Sequence, residues 1–136
     1  MIAVIRIAGR VGISNKDEKI LHSLRLRKKY VCILLKDKKI LEKIKTKVCF
    51  GEIDNETLAL LISKRGKKVG GKMIQESASI IAKKLEEGKS LESMGIKPFF
   101  CLHPPRGGFK KSTKHLYPKG ILGENKNINE ILRRMI

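Results

Sequence analysis

Cys101 and His103 stand two residues apart in the stretch FFCLHPP, and Cys32, Cys49, His22 and His115 are the remaining cysteines and histidines of the chain. Together these are the side chains that could hold a soft metal or pair a thiol nucleophile with its base. Structural zinc sites space their ligands as C-x-x-C or H-x-x-x-H, and neither spacing occurs. The cysteines lie in the apolar runs VCILL, VCF and FFCL, where a thiolate is disfavoured. The expectation is three reduced, buried thiols acting as small hydrophobes, with no disulfide framework. The glycine clusters GRVG, VGGK and PRGG lack the strand-turn-helix spacing of phosphate-binding enzymes. Metal, cofactor, small-molecule substrate and catalysis are therefore not expected.

Positive charge is what the chain has in quantity. Its 136 residues carry 31 Lys plus Arg against 13 Asp plus Glu, a formal +18 at neutral pH. Self-repulsion on that scale works against a compact free chain, so a polyanionic partner is implied, nucleic acid first among them. An anionic membrane fits less well, because the cations are not confined to one amphipathic helix and no lipidation motif is visible. The apolar N-terminal run is too short to span a membrane, and Arg6 and Arg10 interrupt what would be a signal peptide's apolar region. A cytoplasmic protein is expected.

The charge is clustered. HPPRGGFKKSTKHLYPKG, residues 103–120, holds three of the four prolines, three glycines, five cations and no acid. Proline withholds backbone donors and glycine adds freedom that regular structure must freeze out, so the segment reads as an extended cationic loop. Arg106, Lys110, Lys111, Lys114 and Lys119 are candidates for phosphate contacts. Gly107 and Gly108 would let backbone amides approach a ribose-phosphate surface, and Phe109 could stack on an unpaired base. His115 and Tyr117 interleave with these cations. A second cluster, RLRKK, sets Arg25, Arg27, Lys28 and Lys29 at the end of an expected helix. The helix dipole alone would explain one cation there, at about 0.3–1 kcal/mol; four exceed that need and point to RNA. KRGKKVGGK, residues 64–72, is a third and less distinctive basic loop.

The elements that must carry these clusters follow from hydrophobic spacing. Aromatic residues are 4% of the chain with no Trp, so its core must be aliphatic. IAVIRI, VCILL and VCFGEI read as strands at residues 2–7, 31–35 and 48–53. Between them, Ser14 or Asn15 caps a helix with Ile20, Leu21 and Leu24 on one face, and Asp37 caps a second with Ile40, Leu41 and Ile44. Strand-helix-strand-helix-strand predicts a small sheet covered by helices, an α+β fold, with residues 1–53 complete as a unit. Beyond it, Asp54 opens a helix with Leu58, Leu61 and Ile62. Another runs from Ile74 through Ile81 and Leu85 to a Gly88 cap, FFCLH is strand-like, and Ile128, Ile131, Leu132 and Met135 mark a terminal helix.

IAVIRIAGRVGIS, SLRLRKKYVCILL, CFGEIDNETL, KPFFCLHPPRGGFK, GILG and INEILRRM together resemble the archaeal and eukaryotic form of the L-thirty family of large-subunit ribosomal proteins, called L-seven in eukaryotes. The resemblance covers nearly the whole chain and is most specific at LHPPRGGFK. It implies one ribosomal protein domain over residues 1–136: a two-layer β-α-β-α-β core over 1–53, shared with a shorter bacterial form, and an extension over 54–136. It further implies a non-catalytic structural component of the ribosome, seated on large-subunit ribosomal RNA beside neighbouring large-subunit proteins. The implied RNA contacts are Arg10, Arg25, Arg27, Lys28, Lys29 and the stretch from Arg106 to Lys114. KDKKILEKIKTK departs from the family, whose members usually carry Thr-Pro and Arg-Gly-Met there, and the span from Lys64 to Gly88 is shorter than in many relatives. The alternative reading is a free-standing nucleic-acid chaperone or chromatin-like binder.

Overall fold

The structure, a computed structural model, describes residues 1–68, 70–71 and 77–136. Alternation along its first strand sets up the architecture. β1 (Ile2–Arg6) sends Ile2 and Val4 to one face and Ala3 and Ile5 to the other, and both sets are buried. A strand apolar on both faces needs a layer on each side. β1 lies between β2 (Val31–Leu35) and β3 (Val48–Glu52), antiparallel to both. Against Ile2 and Val4 pack Leu21 of α1 (Asn15–Ser23), Leu26, Leu41 and Ile44. The other face, with Ala3, Ile5, Cys32 and Cys49, is covered by α2 (Asn55–Arg65), α3 (Ala78–Glu86) and α4 (Ile128–Met135).

This is an α+β sandwich in which residues 1–53 make one helical layer on the sheet and the later helices make the other. The sheet is also extended at both edges. Its order is β4-β2-β1-β3-β6-β5, with β4 (Phe100–Cys101) antiparallel to β2 and β6 (Gly120–Glu124) parallel to β3. Residues 1–53 are thus not closed by themselves: one face and both edges depend on the rest of the chain. The join is tight at Gly51, where a Cβ would fall on the Asn125 carbonyl oxygen and lie 2.9 Å from Cγ2 of Ile128.

Helix boundaries follow local chemistry. Ser14 Oγ accepts from Asp17 N at 3.3 Å, and Asp54 Oδ1 accepts from Thr57 N at 2.7 Å. The Thr57 hydrogen bonds, helped by Arg133, hold the Asp54 carboxyl below the usual range. Gly88, at φ 97°, follows α3 as expected. The expected start of that helix at Ile74 lies outside the described residues, as does part of the 64–72 loop.

Two expectations fail for physical reasons. The second helix is only a 3-10 turn, Lys39–Lys43. Leu41 and Ile44 are buried while Ile40 is exposed, and two anchors three residues apart suit a three-residue turn. Asp37 Oδ1 accepts from Lys39 N at 3.0 Å, a local turn rather than a helix cap. The 103–120 segment is not all loop: Ser112–Leu116 forms β5, which lies along β6 with Ser112 beside Gly120 and Leu116 beside Leu122, broken by an irregularity. Gly120 permits this approach, since a Cβ there would overlap the His115 and Ser112 carbonyls.

Candidate nucleic-acid interface

Arg6 organises the first basic cluster. Period-two alternation puts it on the Ile2 and Val4 face, where its side chain is fully buried. Its guanidinium donates from Nη1 to the Leu26 carbonyl at 2.7 Å, from Nε to Ala8 at 2.9 Å and from Nη2 to Gly9 at 3.3 Å, with Glu18 at 3.6 Å. Burial lowers its proton affinity, against the opposing effect of Glu18. One buried cation therefore ties the GRVG turn, which carries Arg10, to the loop that carries Arg27, Lys28 and Lys29. At the tip of that turn Val11 is 98% exposed.

The RLRKK loop leaves α1 through a tightly specified exit. Leu26 N bonds to Leu21 O at 2.9 Å and Arg25 N to His22 O at 3.0 Å, the Schellman pairing, with Leu21 and Leu26 packed together beneath it. The left-handed position of that motif favours glycine, yet Arg25 occupies it at φ 65°. Tyr30, at the loop's other end, has φ 68°. Two side-chain-bearing residues held in the left-handed region bracket Arg27, Lys28 and Lys29, and such strain concentrates at functional positions. Arg25 also forms an ion pair with Glu92.

Tyr30 meets the second cluster. Its ring centroid is 6.2 Å from that of Phe109, the planes inclined by 34°, and Lys29 Nζ lies 5.1 Å from the Tyr30 centroid. Phe109, expected to be available for stacking on a base, is half-buried and engaged in this contact.

The PPRGG segment is fastened to α4. His103 N donates to Met135 O and Arg106 N to Arg134 O, both at 3.1 Å, so loop amides satisfy carbonyls at the helix end. Arg134 Nη1 returns to Gly108 O at 2.8 Å and Arg106 O at 3.4 Å. Gly108 N bonds to Pro105 O at 3.0 Å, closing a turn whose third residue, Gly107, has the positive φ of a type II turn, 75°. The chain then travels back along α4, and Lys110 Nζ reaches Glu130 at 3.2 Å.

The sequence candidates are brought together only in part. Arg10, Arg27, Lys28, Lys29 and Arg106 are exposed around the Arg6 and Tyr30–Phe109 joints. Lys114 and His115 lie on β5, and Lys119 just after it; β5 is four strand intervals from β2, about 19 Å at normal spacing. Lys111 sits between, its Nζ 5.0 Å from the Tyr117 ring centroid. The thiols need one correction: Cys32 and Cys49 are buried, their pKa pushed up to about 12 by desolvation, but Cys101 is exposed on edge strand β4. Among the described residues no group of three or more His, Cys, Asp or Glu is placed to hold a metal, and no helix is long and apolar enough to cross a membrane.

Residues 2–46 match the family described as ribosomal protein L30p/L7e. The large ribosomal subunit protein uL30 of Archaeoglobus fulgidus is 38% identical over 99% of this chain and 99% of its own length. That of Aeropyrum pernix is 37% identical over 100% and 99%, and that of Nanoarchaeum equitans 39% over 100% and 99%. The chain belongs to the L30p/L7e family. Members are structural, non-enzymatic ribosomal components. In this L30p/L7e chain the sequence reading missed Arg6 and Arg134, the two guanidiniums that hold the loops from behind. An arginine inside an otherwise apolar strand was the available signal for Arg6; Arg134 has none apart from its place in a terminal helix.

Proposed function

We propose that the chain is a structural constituent of the large ribosomal subunit that binds folded large-subunit rRNA, in the ribosome and beside neighbouring subunit proteins. The observation that carries this reading is the Tyr30–Phe109 contact, which joins the RLRKK loop and the PPRGG segment into one cationic surface. Arg10, Arg25, Arg27, Lys28, Lys29, Arg106 and Lys110 supply charge there, with Lys111 leading from it toward β5, while Gly107 and Gly108 keep side chains away from the backbone. Lys114, His115 and Lys119 extend the contact along the far sheet edge. Cations neutralise phosphates and release counterions, and the fixed loops select a folded RNA shape that matches them. Because the loops are fastened at Arg6 and Arg134, the surface is set before RNA arrives, which favours a shape-specific role over that of a chaperone indifferent to fold.

The test is the salt dependence of binding to a folded large-subunit rRNA transcript. Replacing Arg106, Lys110 and Lys111 with Ala should weaken binding and reduce the slope of log K against log salt by roughly two to three units; Lys110 contributes less because Glu130 already holds it. An unchanged slope, or equal affinity for random duplex, would overturn the reading.

A further inference from the structure

A cleft opens between the C-terminal end of α2 and edge strand β4. Lys64 and Arg65 rim it from the last turn of α2, and Lys67 and Lys97 from a short antiparallel bridge in which Lys97 N donates to Lys67 O at 2.9 Å. Phe99 gives it an apolar wall, and His103 closes it where the PPRGG segment begins. No carboxylate lines it among the described residues. Its volume is about 230 Å³, below the roughly 300–1,000 Å³ of pockets that engulf drug-sized ligands, so it suits a short length of chain better than a free cofactor.

The helix dipole gives Lys64 and Arg65 a reason to sit at a helix C-terminus without any ligand. It does not explain Lys67 and Lys97, which lie beyond the helix. Nor does it explain Arg65 Nε, which is shut off from water with no hydrogen-bond acceptor among the described residues. Native structures rarely leave such a group unsatisfied. The helix end itself is already closed by Gly66 N donating to Ile62 O at 3.0 Å. A phosphate drawn into the cleft would meet the charges of Lys64, Lys67 and Lys97, with the Arg65 guanidinium beside them.

We infer that this cleft is a second RNA site, which takes a single-stranded phosphodiester segment with a base against Phe99. It rests on the rRNA-binding reading above and extends that surface around β4: Leu102 N donates to Tyr30 O at 3.1 Å, so the cleft adjoins the Tyr30–Phe109 joint. An acidic peptide would satisfy the charge but would leave the aromatic wall without a stacking partner.

The probe is a folded large-subunit rRNA transcript bound to the full chain. Lysine acylation read by mass spectrometry should slow several-fold at Lys64, Lys67 and Lys97 when the transcript is added to the unmodified protein. A variant with Lys64→Ala, Lys67→Ala and Lys97→Ala should lose about 2 units of salt slope, at roughly 0.7 per single-strand phosphate. If those amines stay reactive and the slope holds, while the Arg106, Lys110 and Lys111 variant loses slope, the second site is wrong and the principal RNA face stands. If neither variant changes the slope, both readings fall together.

Discussion

Arg6 Nη1 donates to the carbonyl of Leu26 at 2.7 Å across twenty residues of chain, with both side chains fully buried. This contact holds the GRVG turn and the RLRKK loop to one another from beneath. Arg6→Met keeps volume but leaves the Leu26, Ala8 and Gly9 carbonyls without their donor. The expected loss is about 1–3 kcal/mol of unfolding free energy, chiefly from the buried Leu26 carbonyl left unsatisfied, with weakened RNA binding even below the unfolding transition. Urea unfolding and RNA titration read the two effects; a loss under about 0.5 kcal/mol, the level of an ordinary surface change, would show that the guanidinium is dispensable.

Arg25→Gly separates function from stability. Glycine suits the left-handed position that Arg25 occupies at φ 65° and relieves about 1–2 kcal/mol of backbone strain. Against this stand the entropy of glycine in the unfolded chain and the loss of an exposed ion pair with Glu92, each about 1 kcal/mol or less. Thermal melting should therefore shift little or upward while RNA affinity falls. A variant that melts earlier and binds normally would place Arg25 in the framework rather than at the interface.

Gly107 and Gly108 both have positive φ, 75° and 73°, with open space where a Cβ would go. Alanine at either is strained by backbone conformation and not by collision. The pair of alanine substitutions should change the path of the Gly107–Gly108 turn and lower RNA affinity, with little change in melting temperature because both glycines are exposed and the buried Pro105 keeps its place. Asparagine, which tolerates the left-handed region, should cost less than alanine. Equal effects of alanine and asparagine would show that φ at these positions does not govern binding.

The native chain should take up one equivalent of a thiol reagent near pH 8, at Cys101, and three when unfolded. Burial pushes the Cys32 and Cys49 thiols up to about 12, so their thiolates are scarce in the folded state. Unfolded thiols ionise from about pH 8.5. The contribution of these two thiols to stability is thus present below that pH and is lost as pH rises toward 12. Three equivalents taken up by the native chain would contradict the burial.

The sequence disclosed most where local rules and packing agree. Ile128, Ile131, Leu132 and Met135 mark α4 by spacing alone, and all four are buried. Ser14 and Asp54 announce their helices through a side chain able to cap. Elsewhere non-local contacts decided. β5 exists because Ser112–Leu116 finds β6, a pairing that proline and glycine content conceals. Cys101 sits in an apolar run, but on a two-residue edge strand, so apolar neighbours did not bury it. Composition found the two basic clusters; the contact that unites them depends on Phe109 folding back onto Tyr30, which no local pattern encodes.

Residue-resolved crosslinking of the protein to RNA inside intact large subunits bears most directly on the joined surface. Attachment of Lys28 or Lys29 and of Arg106 or Lys110 to neighbouring nucleotides of one rRNA region is the result expected. Crosslinks confined to α3, or attaching the two clusters to unrelated RNA regions, would show that the Tyr30–Phe109 contact does not build a single interface.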